Sequence, residues 1–343
     1  MASILSLRWE RLTLVLRHPF RLSYGVSETR QTYWLRLGED QGWGEATLPP
    51  YYGVDLTTFE AFWEQRARGD LNPPRSLEDL PAWVGESGPA PARCALEMAA
   101  LDYLARQAGQ PLYRWLGLSA PPALPTSVTI AIDTPDAMAE MAQRMRSYPI
   151  LKLKLGGAEA LKRLEAVRAA RPEAEIRVDA NAGWSLEEAK AYLPRLEALR
   201  VSIIEQPLPR TALAEMGQLQ QMTAIPIVAD ESLQTYTDVE RLAAAGVGGI
   251  NVKLMKTGGL LAALRIIRRA RDLGMRVLLG CMIETSLGTT AMAHLAALAD
   301  WLDLDAPLLI ANDPFEGLIY DLDGRIQLPA RPGIGVIKRI PVA

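Results

Sequence analysis

Short β-branched or apolar runs alternate with amphipathic helical segments from residue 127 onward, and this alternation is the feature that most constrains the fold. At about 25 residues per strand–helix unit, the stretch 127–303 holds seven units and a final strand. No GxGxxG follows a strand and opens a helix, which argues against an open sheet that binds a dinucleotide. The sequence therefore predicts an α/β protein built on a closed (β/α)7β, TIM-type barrel.

The first third of the chain has a different pattern. Three β-type runs, broken by Gly and Pro, precede helical patterns at 57–68 and 92–109. The proline-rich segment SAPPALP at 119–125 predicts a linker, because clustered prolines continue neither a helix nor a central strand. We expect three parts: an α+β domain at 1–120, the barrel at 121–313, and a C-terminal segment at 314–343 that returns to the first domain.

Two predicted barrel helices begin with a capping-box pattern, in which two side chains satisfy free backbone N–H groups at the helix start. The pairs are Ser185 with Glu188 and Thr237 with Glu240. We expect helices to begin at Ser185 and at Thr237.

Composition and charge exclude several classes of function. Lys plus Arg is 37 and Asp plus Glu is 40, so the chain lacks the basic excess expected of a partner of nucleic acid or anionic membrane. We expect no export signal, because Arg8 and Glu10 come before any apolar run long enough for one. We expect no membrane span, because no later stretch reaches about 18 uncharged apolar residues. Cys94 and Cys281 are the two cysteines, which fits a reducing cytoplasm without a disulfide. With two histidines in the chain, acid–base chemistry falls on carboxylates and lysines.

Ionisable residues end most of the predicted barrel strands, where the active site of a parallel barrel lies. In strand order they are Lys152 and Lys154, Asp179, Glu205, Asp230 and Lys253. Any single acid could be a helix cap or a surface carboxylate, but three at successive strand ends would converge and repel unless a cation held them. Oxygen ligands favour a hard divalent cation. We therefore predict one Mg²⁺ per subunit, bound by Asp179, Glu205 and Asp230, and no organic cofactor.

The lysines flank the three acids in strand order. Lys154 precedes them and Lys253 follows them, so their amines would lie on opposite sides of whatever the metal holds, as a two-base reaction requires. Alternating Lys152 and Lys154 is also the pattern of an edge strand with solvent-facing lysines, but a central barrel strand has no solvent edge. Lys256, just past its strand, is either part of the site or a group that caps a carbonyl or forms an ion pair.

Several motifs resemble those of the enolase superfamily, in the branch of muconate lactonising enzyme: LKLKL, VDANAGW, IIEQPLP, VADES and INVKLMKTGG. The resemblance covers both domains. It implies an N-terminal α+β capping domain on a (β/α)7β barrel, Mg²⁺ held by three strand-end acids, and two lysines that act as acid and base. Carried over by motif, Lys154 and Lys253 would be the catalytic lysines, and Asn181 in VDANAGW would support the site.

Two further features resemble the dipeptide epimerases of that branch: GCMIETSLG at 280–288 and the D-x-D of Asp303 and Asp305. In that resemblance the paired acids bind the free ammonium of the dipeptide, whereas the plain alternative is a D-x-D that caps a loop. The resemblance places substrate contacts at Thr129, at Lys152 and at the backbone around Cys281 and Ile283. Glu284 would support the site rather than perform chemistry.

The function implied by the resemblance is a Mg²⁺-dependent dipeptide epimerase. It would invert the α-carbon of the C-terminal residue of an L-Ala-X dipeptide by two-base 1,1-proton transfer through an enediolate. The alternatives from the same chemistry are an N-succinylamino-acid racemase, an o-succinylbenzoate synthase and a cycloisomerase. A non-catalytic barrel that only binds a metal and a carboxylate is disfavoured because both lysines are present. The sequence leaves open the preferred side chain, the physiological direction and the oligomeric state, including a homo-oligomer.

The capping-domain loop departs from the resemblance. In the member that acts on Ala-Glu, this loop offers an arginine to the glutamate side chain. Here the loop reads SYGVSETR, with Tyr24 and Glu28, and no arginine falls at the matching point. Tyr24 and, in the following loop, Tyr51 offer apolar faces with hydroxyl tips. We expect such loops to set specificity, because the strand-end residues are committed to chemistry.

We therefore predict that apolar or cationic residues at the second position of the dipeptide are preferred over glutamate, which Glu28 would repel. The measurement is kcat/KM for L-Ala-L-Leu, L-Ala-L-Lys and L-Ala-L-Glu. A clear advantage for L-Ala-L-Glu would show that a nearby arginine, Arg21 or Arg30, enters the pocket.

Overall fold

The structure is a computed structural model. It describes residues 5–22, 25–47, 55–68, 72, 74–157 and 159–340. Within these residues, the N-terminal part contains three antiparallel strands in the order β1-β2-β3 and four helices. These elements are β1 (Leu7–Leu22), β2 (Gly25–Leu37), β3 (Gly42–Thr47), α1 (Leu56–Ala67), α2 (Leu80–Val84), α3 (Ala90–Gln107) and α4 (Leu112–Trp115).

Strand β3 packs against helix α3 with one face and contacts residues 283–288 with the other. Gly42 and Gly44 face α3, and a Cβ at Gly44 would collide with the carbonyl oxygen of Ala95. Because side chains alternate along a strand, the opposite face carries Trp43, Glu45 and Thr47. The absence of side chains at the two glycines lets the helix backbone approach the sheet closely, and the polar groups then point toward the barrel.

Eight parallel strands form the second sheet, in sequence order from β4 to β11. They are β4 (Val128–Ile130), β5 (Ile150–Lys154), β6 (Glu175–Asp179), β7 (Val201–Glu205), β8 (Ile227–Ala229), β9 (Gly249–Val252), β10 (Arg276–Gly280) and β11 (Trp301–Asp303). The sheet closes where Thr126 bridges Leu302 in parallel and the Ser127 N–H donates to the Leu302 carbonyl at 3.1 Å. The predicted (β/α)7β barrel with an N-terminal α+β part is confirmed.

Helices cover the barrel between its strands. They are α5 (Pro135–Arg144), α6 (Ala160–Ala170), α7 (Leu186–Ala198), α8 (Leu213–Met222), α9 (Tyr236–Ala244), α10 (Leu254–Thr257), α11 (Leu260–Asp272), α12 (Ser286–Ala293) and α13 (Ala306–Leu309). Their apolar faces are buried against the strands, as for Leu260, Leu264 and Ile267 of α11. Among the described residues, none of the helices has the length and apolar character needed to cross a membrane.

One of the two expected helix caps is confirmed and the other is wrong. Ser185 and Glu188 form the capping box that starts α7. Helix α9 begins two residues earlier than expected, because its capping box uses Thr235 and Asp238 instead of Thr237 and Glu240. Two overlapping patterns compete in that segment, and the earlier one forms the cap because Asp238 Oδ2 accepts from both the N–H and the Oγ1 of Thr235, at 2.8 and 2.9 Å.

The C-terminal segment contacts the N-terminal part. It contains β12 (Phe315–Glu316), β13 (Ile319–Tyr320), β14 (Ile326–Gln327) and β15 (Ile337–Lys338), paired β12 with β15 and β13 with β14. The ring of Phe315 lies 5.2 Å from that of Trp34 and 5.6 Å from that of Trp43. Asp102 of α3 accepts a hydrogen bond from the Ile334 N–H at 2.7 Å. Residues 120 and 313 remain the proposed domain boundaries.

Candidate active site

The residues predicted at the strand ends lie side by side at the carboxyl end of the barrel. Lys154 of β5 is in register with Asp179 of β6, and Asp179 is in register with Glu205 of β7. Asp230 follows β8, and Lys253 follows β9 directly. All five side chains are buried. Parallel pairing in near-constant register therefore brings the charges into one row.

The three acids form a group that fits a metal ion. One carboxylate oxygen from each of Asp179, Glu205 and Asp230 lies within 4.8 Å of the others. Burial, and then the neighbouring charge of Asp179, raise the pKa of Glu205 to about 8. Burial also acts to raise the pKa values of Asp179 and Asp230, but the adjacent lysines outweigh it and hold both below their usual range. The trio is thus a concentration of negative charge that nearby cations must compensate.

Lys152 provides part of this compensation. Its Nζ lies 3.1 Å from Asp179 Oδ2, 2.8 Å from Glu205 Oε2 and 2.7 Å from Asp303 Oδ2. Burial acts to lower the pKa of Lys152, but Asp303, Glu205 and Asp179 outweigh it and raise that pKa well above its usual value. Its ammonium is therefore fixed at the centre of the site, between the acid trio and the last barrel strand.

Lys154 and Lys253 lie on either side of the acid trio in the order of the strands. Lys154 Nζ is 2.6 Å from Asp179 Oδ2, and Lys253 Nζ is 2.7 Å from Asp230 Oδ2. Burial acts to lower the pKa of Lys253, but the charges of Asp230 and Glu205 outweigh it and raise that pKa well above its usual value. A substrate placed over the trio would have one amine on each side.

Lys256 supports Asp230. Its Nζ donates to Asp230 Oδ1 and to the Asp230 carbonyl, both at 2.5 Å, and to the Asn251 carbonyl at 2.9 Å. Three bonds use all three donors of an ammonium. Burial lowers the pKa of Lys256. Of the two interpretations open at the sequence level, the structure places Lys256 as a carbonyl cap and ion-pair partner beside the site.

Three polar residues orient the acids. Asn251 and Gln206 were not predicted from the sequence, and Asn181 was predicted only as a supporting residue. Asn251 Nδ2 donates to Glu205 Oε1 at 2.9 Å. Gln206 Oε1 accepts from the Asp230 N–H at 2.9 Å. The Asn181 N–H donates to Asp179 Oδ1 at 2.9 Å, from a backbone with a φ of 46°. Asn251 occupies an inward position of β9, and Gln206 follows Glu205 directly. Their short distance in the sequence from Lys253 and Glu205 could have indicated that both lie near the site.

A hard divalent cation fits this donor set. The trio offers carboxylate oxygens only, which is the ligand type that Mg²⁺ prefers. Glu231, next to Asp230, has a buried Oε2 that has no hydrogen-bond partner among the described residues, and burial raises the pKa of Glu231 to about 7. A polar ligand or cation at this end of the barrel would relieve both the repulsion within the trio and this unsatisfied oxygen.

Asp303 and Asp305 lie at the end of the last strand, beside Lys152. Asp303 accepts from Ser127 Oγ at 2.6 Å, while Asp305 Oδ2 accepts from the Thr129 N–H at 2.7 Å. Burial, and then Asp303, raise the pKa of Asp305 to about 6. In the part of the chain that the structure describes, no ion pair engages Asp305. The pair therefore has one compensated acid and one that favours an incoming cation.

The loop after β10 carries the remaining predicted contacts. Cys281 Sγ donates to the Asp303 carbonyl at 3.2 Å. The side chain of Ile283 is buried in a small apolar cluster with Leu14 of β1 and Ile310. Glu284 is buried as well, and burial followed by the charge of Glu45 raises its pKa well above the usual value.

The capping-loop residues are only partly placed. Tyr24 and Tyr51 lie outside the described residues. Glu28 is exposed on β2. Arg21 lies 3.8 Å from Asp133 with its side chain half exposed, and Arg30 donates to Ser27 at 3.4 Å. The preferred second residue of a substrate therefore stays a prediction from the sequence.

Comparison with known proteins identifies related sequences over nearly the whole chain. Residues 136–337 match the family described as enolase C-terminal domain-like. A hydrophobic dipeptide epimerase of Roseobacter litoralis is 37% identical over 344 residues, covering 96% of this chain and 98% of that protein. An L-Ala-D/L-Glu epimerase of Bacteroides thetaiotaomicron is 35% identical over 331 residues, covering 95% of this chain and 86% of that protein.

A solved structure shares the fold of this chain. The dipeptide epimerase from Cytophaga hutchinsonii, complexed with Mg and the dipeptide D-Ala-L-Val, superposes with a TM-score of 0.92. The two chains are 30% identical, and the alignment covers 99% of this chain and 97% of that chain.

Replacing Glu205 by Gln should abolish Mg²⁺ binding without unfolding the protein. Gln keeps the oxygen that accepts from Asn251, and burial, which raises the pKa of Glu205 to about 8, already favours a neutral side chain at this position. At 100 times its dissociation constant, Mg²⁺ should stabilise the wild type by about 2.7 kcal/mol and the variant far less. The measurement is Tm with and without Mg²⁺, with the exposed Glu187→Gln on α7 as control. A Glu205→Gln protein that responds to Mg²⁺ as the wild type does would contradict the metal assignment.

Proposed function

Because the chain belongs to the enolase superfamily, we propose that it is a Mg²⁺-dependent dipeptide epimerase. It inverts the α-carbon of the C-terminal residue of a dipeptide by moving one proton between its two faces. The observation that carries this proposal is the placement of Lys154 and Lys253 on either side of the acid trio, with Asp303 and Asp305 at the last strand end. The names of the relatives support the same reaction class.

Asp179, Glu205 and Asp230 would hold the metal ion, and each has neighbours that fix its carboxylate. Bound Mg²⁺ supplies a Lewis acid for the substrate carboxylate, which lowers the cost of placing negative charge there. A cation held there would offset the negative charge with which Lys154 and Lys253 pair, and would make their amines available to the substrate.

The two lysines perform the proton transfer. The amine of one lysine takes the α-proton from one face, and the C–H electron pair moves into the carboxylate to give an enediolate. The ammonium of the other lysine then returns a proton to the opposite face, so the α-carbon is inverted and the net charge is unchanged. Because Lys154 and Lys253 sit at opposite ends of the row of acids, each serves one face.

Lys152 stabilises the charge that develops between these steps. Its ammonium is already oriented by Asp179, Glu205 and Asp303, so it does not have to reorganise as the enediolate forms. Buried, fixed positive charge of this kind is worth more than the same charge in water. We assign Lys152 as an electrostatic group, and Lys154 and Lys253 as the acid–base pair.

Asp303 and Asp305 recognise the free ammonium of the dipeptide. Ser127 and Lys152 already donate to the two carboxylate oxygens of Asp303, so a new cation would stabilise the ionised form of Asp305 more than that of Asp303. The side chain of Thr129 lies one strand away, in register with Lys152, and Cys281 contacts the backbone of Asp303. An N-acylated amino acid lacks this ammonium and would leave Asp305 without its partner.

We place the protein in the cytoplasm. Cys94 and Cys281 are free, and Cys94 is buried. An isolated pair of free thiols is typical of a reducing compartment. A homo-oligomer is compatible with this proposal.

Lys154→Ala and Lys253→Ala should each abolish epimerisation, because each face of the α-carbon has one base. Each variant should still exchange the α-hydrogen of one stereoisomer in D₂O, and the two variants should retain opposite stereoisomers. Mass spectrometry and chiral separation measure both properties. Lys162→Ala, on the exposed face of α6, is the control. A lysine variant that keeps more than a few per cent of the epimerisation rate would refute the two-base assignment.

Acetylating the dipeptide should weaken catalysis through loss of a charge-assisted contact. The expected loss is about 1.5–3 kcal/mol, which is roughly ten- to hundredfold in kcat/KM. Asp305→Asn should reduce the difference in kcat/KM between the free and the acetylated dipeptide, since the variant no longer offers a negative charge to the ammonium. Faster turnover of N-acetyl or N-succinyl amino acids than of free dipeptides would instead identify a racemase.

A further inference from the structure

A carboxylate of the N-terminal sheet reaches the loop that walls the active site. Glu45 lies on β3, and its side chain is 1% exposed. It accepts four hydrogen bonds: from Thr285 Oγ1 at 2.5 Å, Thr32 Oγ1 at 2.8 Å, the Gly288 N–H at 2.9 Å and the Thr285 N–H at 3.0 Å. Three of these donors belong to the start of α12, which follows the loop after β10.

Thr47, two residues further along the same face of β3, contacts the same loop. Its Oγ1 donates to the Ile283 carbonyl at 3.0 Å. Residues 283, 285 and 288 are therefore all bound to side chains of one strand. Since the opposite face of β3 is locked against α3 by Gly42 and Gly44, this strand is a rigid support for the loop.

The supported loop lies next to one of the two bases. Strand β10 pairs with β9, and Lys253 follows β9 directly, whereas Lys154 lies across the site on β5. Glu284 of this loop lies close enough to Lys253 for the two charges to interact. A Cβ at Gly288 would lie 3.1 Å from the carboxyl carbon of Glu284 and 3.1 Å from Glu45 Oε2, so the two carboxyl groups meet at that glycine.

We propose that Glu45 is a positioning residue for the reaction: it fixes the loop 281–285 from the N-terminal sheet and thereby sets the geometry on the Lys253 side of the site. This inference rests on the proposed function, because it assumes that Lys253 serves one face of the substrate. It adds a role for the N-terminal domain in the chemistry, beyond covering the barrel.

The surroundings of the two carboxyl groups differ. Burial raises the pKa of Glu45, while four donors, two of them backbone N–H groups at the start of a helix, act against burial by favouring the ionised form. Burial beside that charge favours the neutral form of Glu284. Glu284 thus lies on the Lys253 side of the loop, and Glu45 anchors the start of α12 from the sheet side.

The test measures α-hydrogen exchange separately for each stereoisomer of the dipeptide. Lys253→Ala identifies the stereoisomer that depends on Lys253, since that variant loses its exchange. Glu45→Gln has nearly the same size but presents an amide to the donors of Thr285 and Gly288. We expect Glu45→Gln to slow exchange of the Lys253-dependent stereoisomer on the order of tenfold or more, with exchange of the other stereoisomer and KM unchanged.

Glu10→Gln is the matched control, because Glu10 is an exposed acid of the same sheet, on β1. Rates are taken per folded protein, from near-UV circular dichroism. If Glu45→Gln does not fold, Thr47→Val removes the contact with the Ile283 carbonyl, together with a longer one, at 3.4 Å, to the Gln31 carbonyl within the N-terminal sheet. We expect the same one-sided loss.

Equal loss for both stereoisomers, or no loss for either, would overturn the inference and leave the proposed function intact. A wild-type protein that exchanges neither stereoisomer of any dipeptide would overturn the proposed function itself.

Discussion

The repulsion among three buried carboxylates is the constraint on which the site depends. Asp179, Glu205 and Asp230 are brought together by the barrel, and four ammonium groups surround them in the described structure, from Lys152, Lys154, Lys253 and Lys256. Unpaired buried charge is costly, so such an arrangement persists only where each charge has partners. The same compensation leaves two amines at opposite ends of the trio. Metal affinity and two-sided proton transfer therefore follow from one electrostatic arrangement.

The fold produces this arrangement because parallel strands end at one rim. Register places Lys154, Asp179 and Glu205 in a row, and the turns after β6 and β7 use left-handed residues, Asn181 and Gln206, to orient them. The N-terminal sheet adds a second support from outside the barrel. Through Glu45 it holds the loop beside Lys253, so the geometry of the site depends on both parts of the chain.

The sequence predicted the barrel and the charged strand ends because both repeat at the period of the strand–helix unit. Features that depend on contacts between residues far apart in the sequence were harder to predict. Glu45 and Thr285 are 240 residues apart, and nothing local in GWGEAT shows that its acid would face the barrel. Asn251 and Gln206 were missed because amides carry no charge pattern, although their positions beside ligands were visible. The start of α9 was wrong because Thr235 with Asp238 competes with a similar pattern two residues later.

The central claim is that the three carboxylates bind one divalent cation between two lysines. Anomalous diffraction from a crystal soaked in Mn²⁺, an oxygen-preferring substitute for Mg²⁺, tests it most directly. The account predicts a single strong peak in each subunit, within ligand distance of Asp179, Glu205 and Asp230. A peak elsewhere in the molecule, or ammonium groups of the lysines still paired with all three carboxylates at saturating metal, would contradict it.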